Sequence, residues 1–116
     1  KKVKPSSSHL CLYAGFKGTA KELGIPRTNF WIYPSADHEG NLERFQANPD
    51  AEFPMLYISF PSAKDPEWDG NYPNKSTVEV LTFGPWEWFA KWDGTTWCQR
   101  GEEYETLKEK FHQRRN

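Results

Sequence analysis

The amino-acid sequence predicts an α+β fold: a mostly antiparallel or mixed sheet of about four strands, with short helices and one longer C-terminal helix. Three observations carry that expectation. Four segments alternate in polarity or are rich in aromatic and β-branched residues, and each is closed by Gly or Pro. Helical signals lie between and after these segments. No repeat, low-complexity tract or linker divides the chain, so residues 1–116 read as a single domain with the sheet backed by helices on one side.

The first strand is Ser8–Phe16, closed by Gly15 and Gly18. Thr19-Ala-Lys-Glu22 then forms a capping box, in which the Thr hydroxyl accepts from the Glu22 amide while the Glu carboxylate accepts from the Thr amide. Gly24 supplies a left-handed stop, which limits this helix to a turn or two. Asn29–Tyr33 is a strand ended by Pro34, and Asn41–Ala47 is a short helix. Phe53–Phe60 is a strand with Pro54 near its start and Pro61 after it. A long loop leads to the cleanly alternating Ser76–Phe83, which Gly84-Pro85 terminates. Pro85 suits a first helical position, giving an aromatic helix Pro85–Trp92. Gly101–Gln113 is the best helix, with Tyr104, Leu107 and Phe111 on one stripe and a Glu105–Lys108 pair on its surface.

Because side chains alternate sides along a strand, each strand contributes two sets. Leu10, Leu12, Phe30, Ile32, Leu56, Ile58, Val78 and Val80 form an aliphatic core face. The opposite set is Cys11, Tyr13, Trp31, Tyr33, Met55, Tyr57, Ser59, Glu79, Leu81 and Phe83. Rings with scattered hydroxyls suit a wall that is apolar but makes a few polar contacts, which is the composition of ligand cavities. They equally suit a surface that docks a protein partner.

Composition removes several classes of function. Lys and Arg total 15 against 16 Asp and Glu, a balance without the basic face that nucleic-acid binding needs. The longest apolar stretches fall far short of the ~20 residues that cross a bilayer. Aromatic content of 16% excludes a disordered chain. Cys11 and Cys98 make neither a disulfide framework nor, unaided, a zinc site. His9, His38 and His112 have no ligand spacing, and Asp37-His38-Glu39 reads as a polar loop. Gly15-Phe-Lys-Gly18 follows a strand but lacks both the G-x-G-x-x-G and the P-loop spacing, so it is a structural turn. Ser59 and Ser62 flank Pro61 without a nucleophile elbow. Lys64-Asp65 reads as a salt-bridged surface pair. The tryptophans in and around Trp86–Trp92 suit an aromatic core cluster better than a sugar-stacking platform.

Four stretches together resemble the central region of retinol saturase-like flavoproteins, the family that groups all-trans-retinol 13,14-reductases with phytoene desaturase and carotenoid isomerase relatives. They are Ile58–Pro66 (Ile-Ser-Phe-Pro-Ser-Ala-Lys-Asp-Pro), Tyr72–Thr77, Glu79–Phe89 and Arg100–Lys108. Leu12–Gly24 and Thr28–Tyr33 fit the same region in the same order. The resemblance implies a longer parent enzyme with an FAD-binding domain and a second, substrate-binding domain to which these residues belong. The chain opens on Lys-Lys-Val-Lys and ends within a helical pattern, as expected of an internal piece. Its partners would then be a lipophilic polyene and the remainder of the parent flavoprotein, with no nucleic acid. The protein would be intracellular, cytoplasmic or membrane-associated, and any membrane contact would come through the parent.

On this reading Tyr13, Trp31, Tyr33, Met55, Tyr57 and Phe83 contact substrate. The residues carry no G-x-G-x-x-G, so the piece alone is expected to bind no FAD and to be inactive. Saturation, desaturation and isomerisation stay open. So does a stand-alone, non-enzymatic module that binds an apolar or carbohydrate ligand, or a protein partner, through its aromatics.

Overall fold

Alternating apolar residues draw β1 (Ser8–Lys17) and β4 (Lys75–Gly84) into a ladder running from Ser8 opposite Gly84 to Lys17 opposite Lys75. β3 (Leu56–Ser59) pairs with the other side of β4, and β2 (Phe30–Ile32) pairs with β3. The sheet order is therefore β1-β4-β3-β2, and every neighbouring pair is antiparallel. These features come from a computed structural model that describes residues 7–114. The basic opening Lys1-Lys-Val-Lys4 and the last two residues lie outside the described part.

All four strands fall inside or within a residue of the expected segments. β3 is shorter than the Phe53–Phe60 run because Pro54 lacks the amide a ladder needs and Pro61 starts α2 (Pro61–Lys64). Where β3 ends, the Ser62 hydroxyl takes over its ladder position: it accepts from the Thr77 amide at 2.9 Å and donates to the Thr77 carbonyl at 3.5 Å. Gly18, at φ 119°, turns the chain out of β1. Its amide donates to the Asn74 carbonyl at 2.9 Å, and its own carbonyl accepts from the Ser76 hydroxyl at 2.8 Å.

The helices differ more from expectation. The Thr19 capping box forms, with the Glu22 amide donating to the Thr19 hydroxyl at 3.2 Å and the Thr19 amide to the Glu22 carboxylate at 2.8 Å. It closes a hydrogen-bonded turn rather than a helix. The Thr19 amide, then its hydroxyl, hold the Glu22 carboxyl below its ordinary range. The helix α1 (His38–Ala47) begins before Asn41 because the Asp37 side chain accepts from the Gly40 amide at 3.0 Å. Asp37-His38-Glu39 is thus a helix start, not a loop. The stretch read as a long loop contains α2 and a second single turn, α3 (Trp68–Asn71).

The chain divides into two compact units, Lys1–Gly84 and Pro85–Asn116. In the first, Phe45, Phe53 and Met55 are the buried apolar residues, and the Phe45 and Phe53 rings lie 5.6 Å apart. The buried polar side chains of this unit have partners: Thr82 donates to the Met55 carbonyl at 2.6 Å. In the second unit the expected helix Pro85–Trp92 is two 3-10 turns, Trp86–Trp88 and Ala90–Trp92. The last helix is α4 (Glu102–Gln113). Phe111 stacks on Trp88 at 5.4 Å and 4°, while Tyr104 meets Trp92 edge-on at 5.1 Å. Trp86 and Trp97 stay exposed, so the tryptophans do not make one core.

Candidate functional site

The register confirms the two-sided partition of the sheet. Leu12, Val80, Ile58 and Phe30 lie opposite one another across the four strands on one face. Along β1 this face is the better covered one: Leu10, Leu12 and Ala14 are half-buried, whereas Cys11, Tyr13 and Gly15 are exposed. The aliphatic face is not a closed core, since Phe30 and Ile32 on the edge strand remain exposed.

The opposite face is organised in three rows, spaced about 6.7 Å apart along the strands. The middle row is Cys11–Leu81–Tyr57–Trp31, one residue from each strand in direct register. Its Trp31 and Tyr57 rings lie 4.7 Å apart, and Trp31 is 59% exposed. On one side, His9 opposes Phe83, their rings 6.0 Å apart. Continuing the ladder brings Met55 and Tyr33 into that same row. Tyr33 meets His38 edge-on at 4.4 Å. On the other side, Tyr13 opposes Glu79 and Glu79 opposes Ser59, and the ladder continues to Asn29.

That last row is polar and tied together. Lys64, carried back over the sheet by the α2 turn, donates to the Ser59 hydroxyl at 2.8 Å and also to the Asn29 side-chain carbonyl. Arg27 donates to the Ala63 carbonyl at 2.9 Å, fixing α2 against the approach to β2. The Lys64-Asp65 pair expected from sequence does not form; the Asp65 carboxylate instead accepts from the Glu67 amide at 2.9 Å. The Cys11 thiol beside the Tyr13 phenol, and less strongly the Glu79 carboxylate opposite it, raise the phenol above its ordinary value. Tyr13, Gly15, Pro61, Thr77 and Glu79 line a cleft of about 380 Å³ at this end of the face. Gly15 leaves its floor open, with no atom within 4 Å of where a Cβ would stand.

The six residues singled out from sequence therefore share one face but not one environment. Trp31 and Tyr57 sit together in the middle row, while Tyr33, Met55 and Phe83 belong to the row beside it. Tyr13 belongs to the polar row and is 71% exposed. Met55 is 8% exposed, so it is covered rather than presented on the face. Sequence reasoning did not single out Asn29, Glu79 or Lys64 as site residues. For two of them the signal is present in the alternation: Asn29 precedes Trp31 by two and Glu79 precedes Leu81 by two, whereas Lys64, on α2, has no such spacing.

The Gly15–Gly18 turn does not fit the diphosphate of a dinucleotide. After Gly15-Phe-Lys-Gly18, the amides of Gly18, Glu22 and Leu23 are spent on Asn74 and Thr19, and no helix follows to offer its N-terminus. Among the described residues no cluster of three or more metal-ligating side chains occurs, and no helix is long and apolar enough to cross a membrane.

A two-faced antiparallel sheet with one ringed, partly polar face defines the chain as an α+β module with a candidate apolar-ligand wall. Comparison with known proteins identifies it as a retinol saturase-like sequence. It is 37% identical over 115 residues, 96% of the chain, to a rat protein named all-trans-retinol 13,14-reductase. The human protein of that name is 34% identical over 113 residues, 94% of the chain. A zebrafish protein named inactive all-trans-retinol 13,14-reductase is 36% identical over 116 residues. The chain spans only 18–19% of the length of these curated relatives. No protein-family model and no solved structure matches it.

Proposed function

We propose that this chain is the substrate-side region of an FAD-dependent oxidoreductase of the retinol saturase type, and that its ringed face forms part of the wall against which a polyene lies. The observation that carries this reading is the middle row Cys11–Leu81–Tyr57–Trp31, held in register across all four strands, with the Trp31 and Tyr57 rings 4.7 Å apart and Trp31 59% exposed. A polyene offers little but apolar area and ring contact, each Å² removed from water contributing about 25 cal/mol, and the Trp31–Tyr57 pair supplies both.

The flavin would be held by other residues of a longer protein, since the Gly15–Gly18 turn does not fit its diphosphate, and hydride chemistry belongs to the flavin when it is bound. Equal likeness to relatives named as reductase and as inactive, 37% and 36%, suits a region that shapes a cavity rather than one that carries the chemistry. Residues of this region therefore position substrate, and the isolated chain turns nothing over.

Tryptophan fluorescence of the chain, titrated with a retinoid, a carotenoid and an oligosaccharide, tests the reading. Saturable quenching by the polyenes, diminished in Trp31→Phe, is expected. Quenching by the oligosaccharide alone, or none by either polyene, would overturn it.

A further inference from the structure

The two edges of the sheet are guarded unequally. β2 is three residues long and Pro34 follows it closely, so that edge offers little to a further strand. β1, the other edge, runs for ten residues in unbroken register with β4. It holds no proline and no Asp, Glu, Lys or Arg before Lys17. Shortness, proline, bulges and charge are what keep a water-facing edge from pairing, and β1 uses none of them along most of its length. We propose that the outer edge of β1 takes a further β-strand, supplied by the part of the longer protein outside this chain, so that the sheet continues past β1. The proposal rests on the reading of the chain as one region of a longer enzyme, and not on its polyene wall.

Two hydrogen-bonding observations fix which backbone groups point outward. In an antiparallel ladder, residues whose N–H and C=O bond to the partner strand alternate with residues whose groups point the other way. The Gly18 amide donates to the Asn74 carbonyl at 2.9 Å, in phase with the ladder, so Ala14, Leu12 and Leu10 turn their backbone groups to β4. On the far side of β4 the Ser62 hydroxyl occupies the Thr77 amide and carbonyl, and Thr77 stands opposite Gly15, which gives the same phase independently. His9, Cys11, Tyr13, Gly15 and Lys17 therefore direct their N–H and C=O groups away from β4, and these groups have no backbone partner among the described residues.

Size and chemistry select the occupant. The chain spans only 18–19% of the length of its curated relatives, so most of such a protein lies outside it. Leu10, Leu12 and Ala14 are only half-buried and Phe16 is exposed, and a strand of alternating polarity laid along β1 would cover them on the aliphatic side. A second copy of β1 fits less well. Pairing all the outward residues sets Tyr13 opposite its own copy and His9 opposite Lys17 at both ends, with no acidic residue of β1 to balance the lysines.

Amide hydrogen exchange in the full-length protein, resolved to single residues and without added polyene, provides the test. The inward amides of Leu10, Leu12 and Ala14 are the internal standard, since β4 protects them in any case. The outward amides of Cys11, Tyr13 and Gly15 should exchange within about tenfold of that standard. Outward amides that exchange faster than this mean an open edge and overturn the proposal. Protection that appears only as the protein dimerises across a concentration series assigns the edge to a second copy, and overturns it as well. Tyr13→Pro withdraws one outward N–H while leaving the bonds to β4 in place, and should speed exchange in one further stretch outside residues 1–116. If that variant folds and every outside stretch keeps its protection, no strand pairs there. None of these outcomes depends on a bound polyene, so the proposal can fail while the ligand wall stands, and the wall can fail while the added strand stands.

Discussion

Leu12, Val80, Ile58 and Phe30 cross the sheet on one side, and one residue further along Cys11, Leu81, Tyr57 and Trp31 cross it on the other. The same backbone ladder supports both rows, so their difference lies entirely in side-chain chemistry. The aliphatic row has no polar atom to place and stabilises only by removal from water. The ringed row is flanked by Tyr13, Glu79, Ser59 and Lys64, whose hydrogen-bonding groups work at a surface that is partly wet. Trp31 and Tyr13 on the ringed side are 59% and 71% exposed, and on the edge strand Phe30 and Ile32 of the aliphatic side are exposed as well. The contrast teaches that one backbone ladder can carry two sides of different chemistry, and the recognition role proposed for the ringed side rests on that difference.

Substitutions can break that contrast. Ile58→Ala, on the aliphatic row between β2 and β4, should cost about 2–3 kcal/mol and lower the melting temperature by about 10 °C in a thermal scan. Thr82→Val removes the donor to the buried Met55 carbonyl and should cost about 1–2 kcal/mol, measured by urea denaturation at unchanged m-value. Trp31→Ala should change stability by less than about 1 kcal/mol, because its ring is mostly solvated, yet weaken polyene binding by about tenfold or more.

The smallest effect lies outside both faces, at the turn that leads out of β1. Glu22 has a depressed carboxyl in the folded protein, so its contribution is present above the ordinary carboxylate range and is lost as pH falls through its lowered folded value. Melting temperatures of the protein and of Glu22→Gln should differ slightly at neutral pH and converge in acid. A constant difference across that range would show that the capping box, and not the charge, is what matters there.

The strands were legible because period-2 alternation with Gly and Pro boundaries is a local signal, and β1 and β4 run with it for ten residues each. The two faces followed from the same periodicity. The helices were less legible where a local cap decides the outcome: Asp37 starts α1 at His38, while Gly24 at φ 65° lets Thr19–Glu22 close as a turn. Pro85–Trp92 was misread because a proline start and apolar residues suit an α-helix and a pair of 3-10 turns alike. The polar row was hidden for another reason. Lys64 reaches Ser59 and Asn29 only because Pro61 turns the chain back, bringing together residues 35 positions apart. Such a contact is set by tertiary structure and has no spacing of its own to read.

The most direct test of the division between the two faces is a paired measurement on Ile58→Ala and Trp31→Ala, recording melting temperature and retinoid affinity for each. The account predicts opposite profiles: Ile58→Ala loses melting temperature while the folded fraction binds normally, and Trp31→Ala keeps its melting temperature while affinity falls about tenfold. If the two variants lose stability and affinity in equal proportion, the ringed face is part of the structural core and the assignment of a ligand wall is wrong.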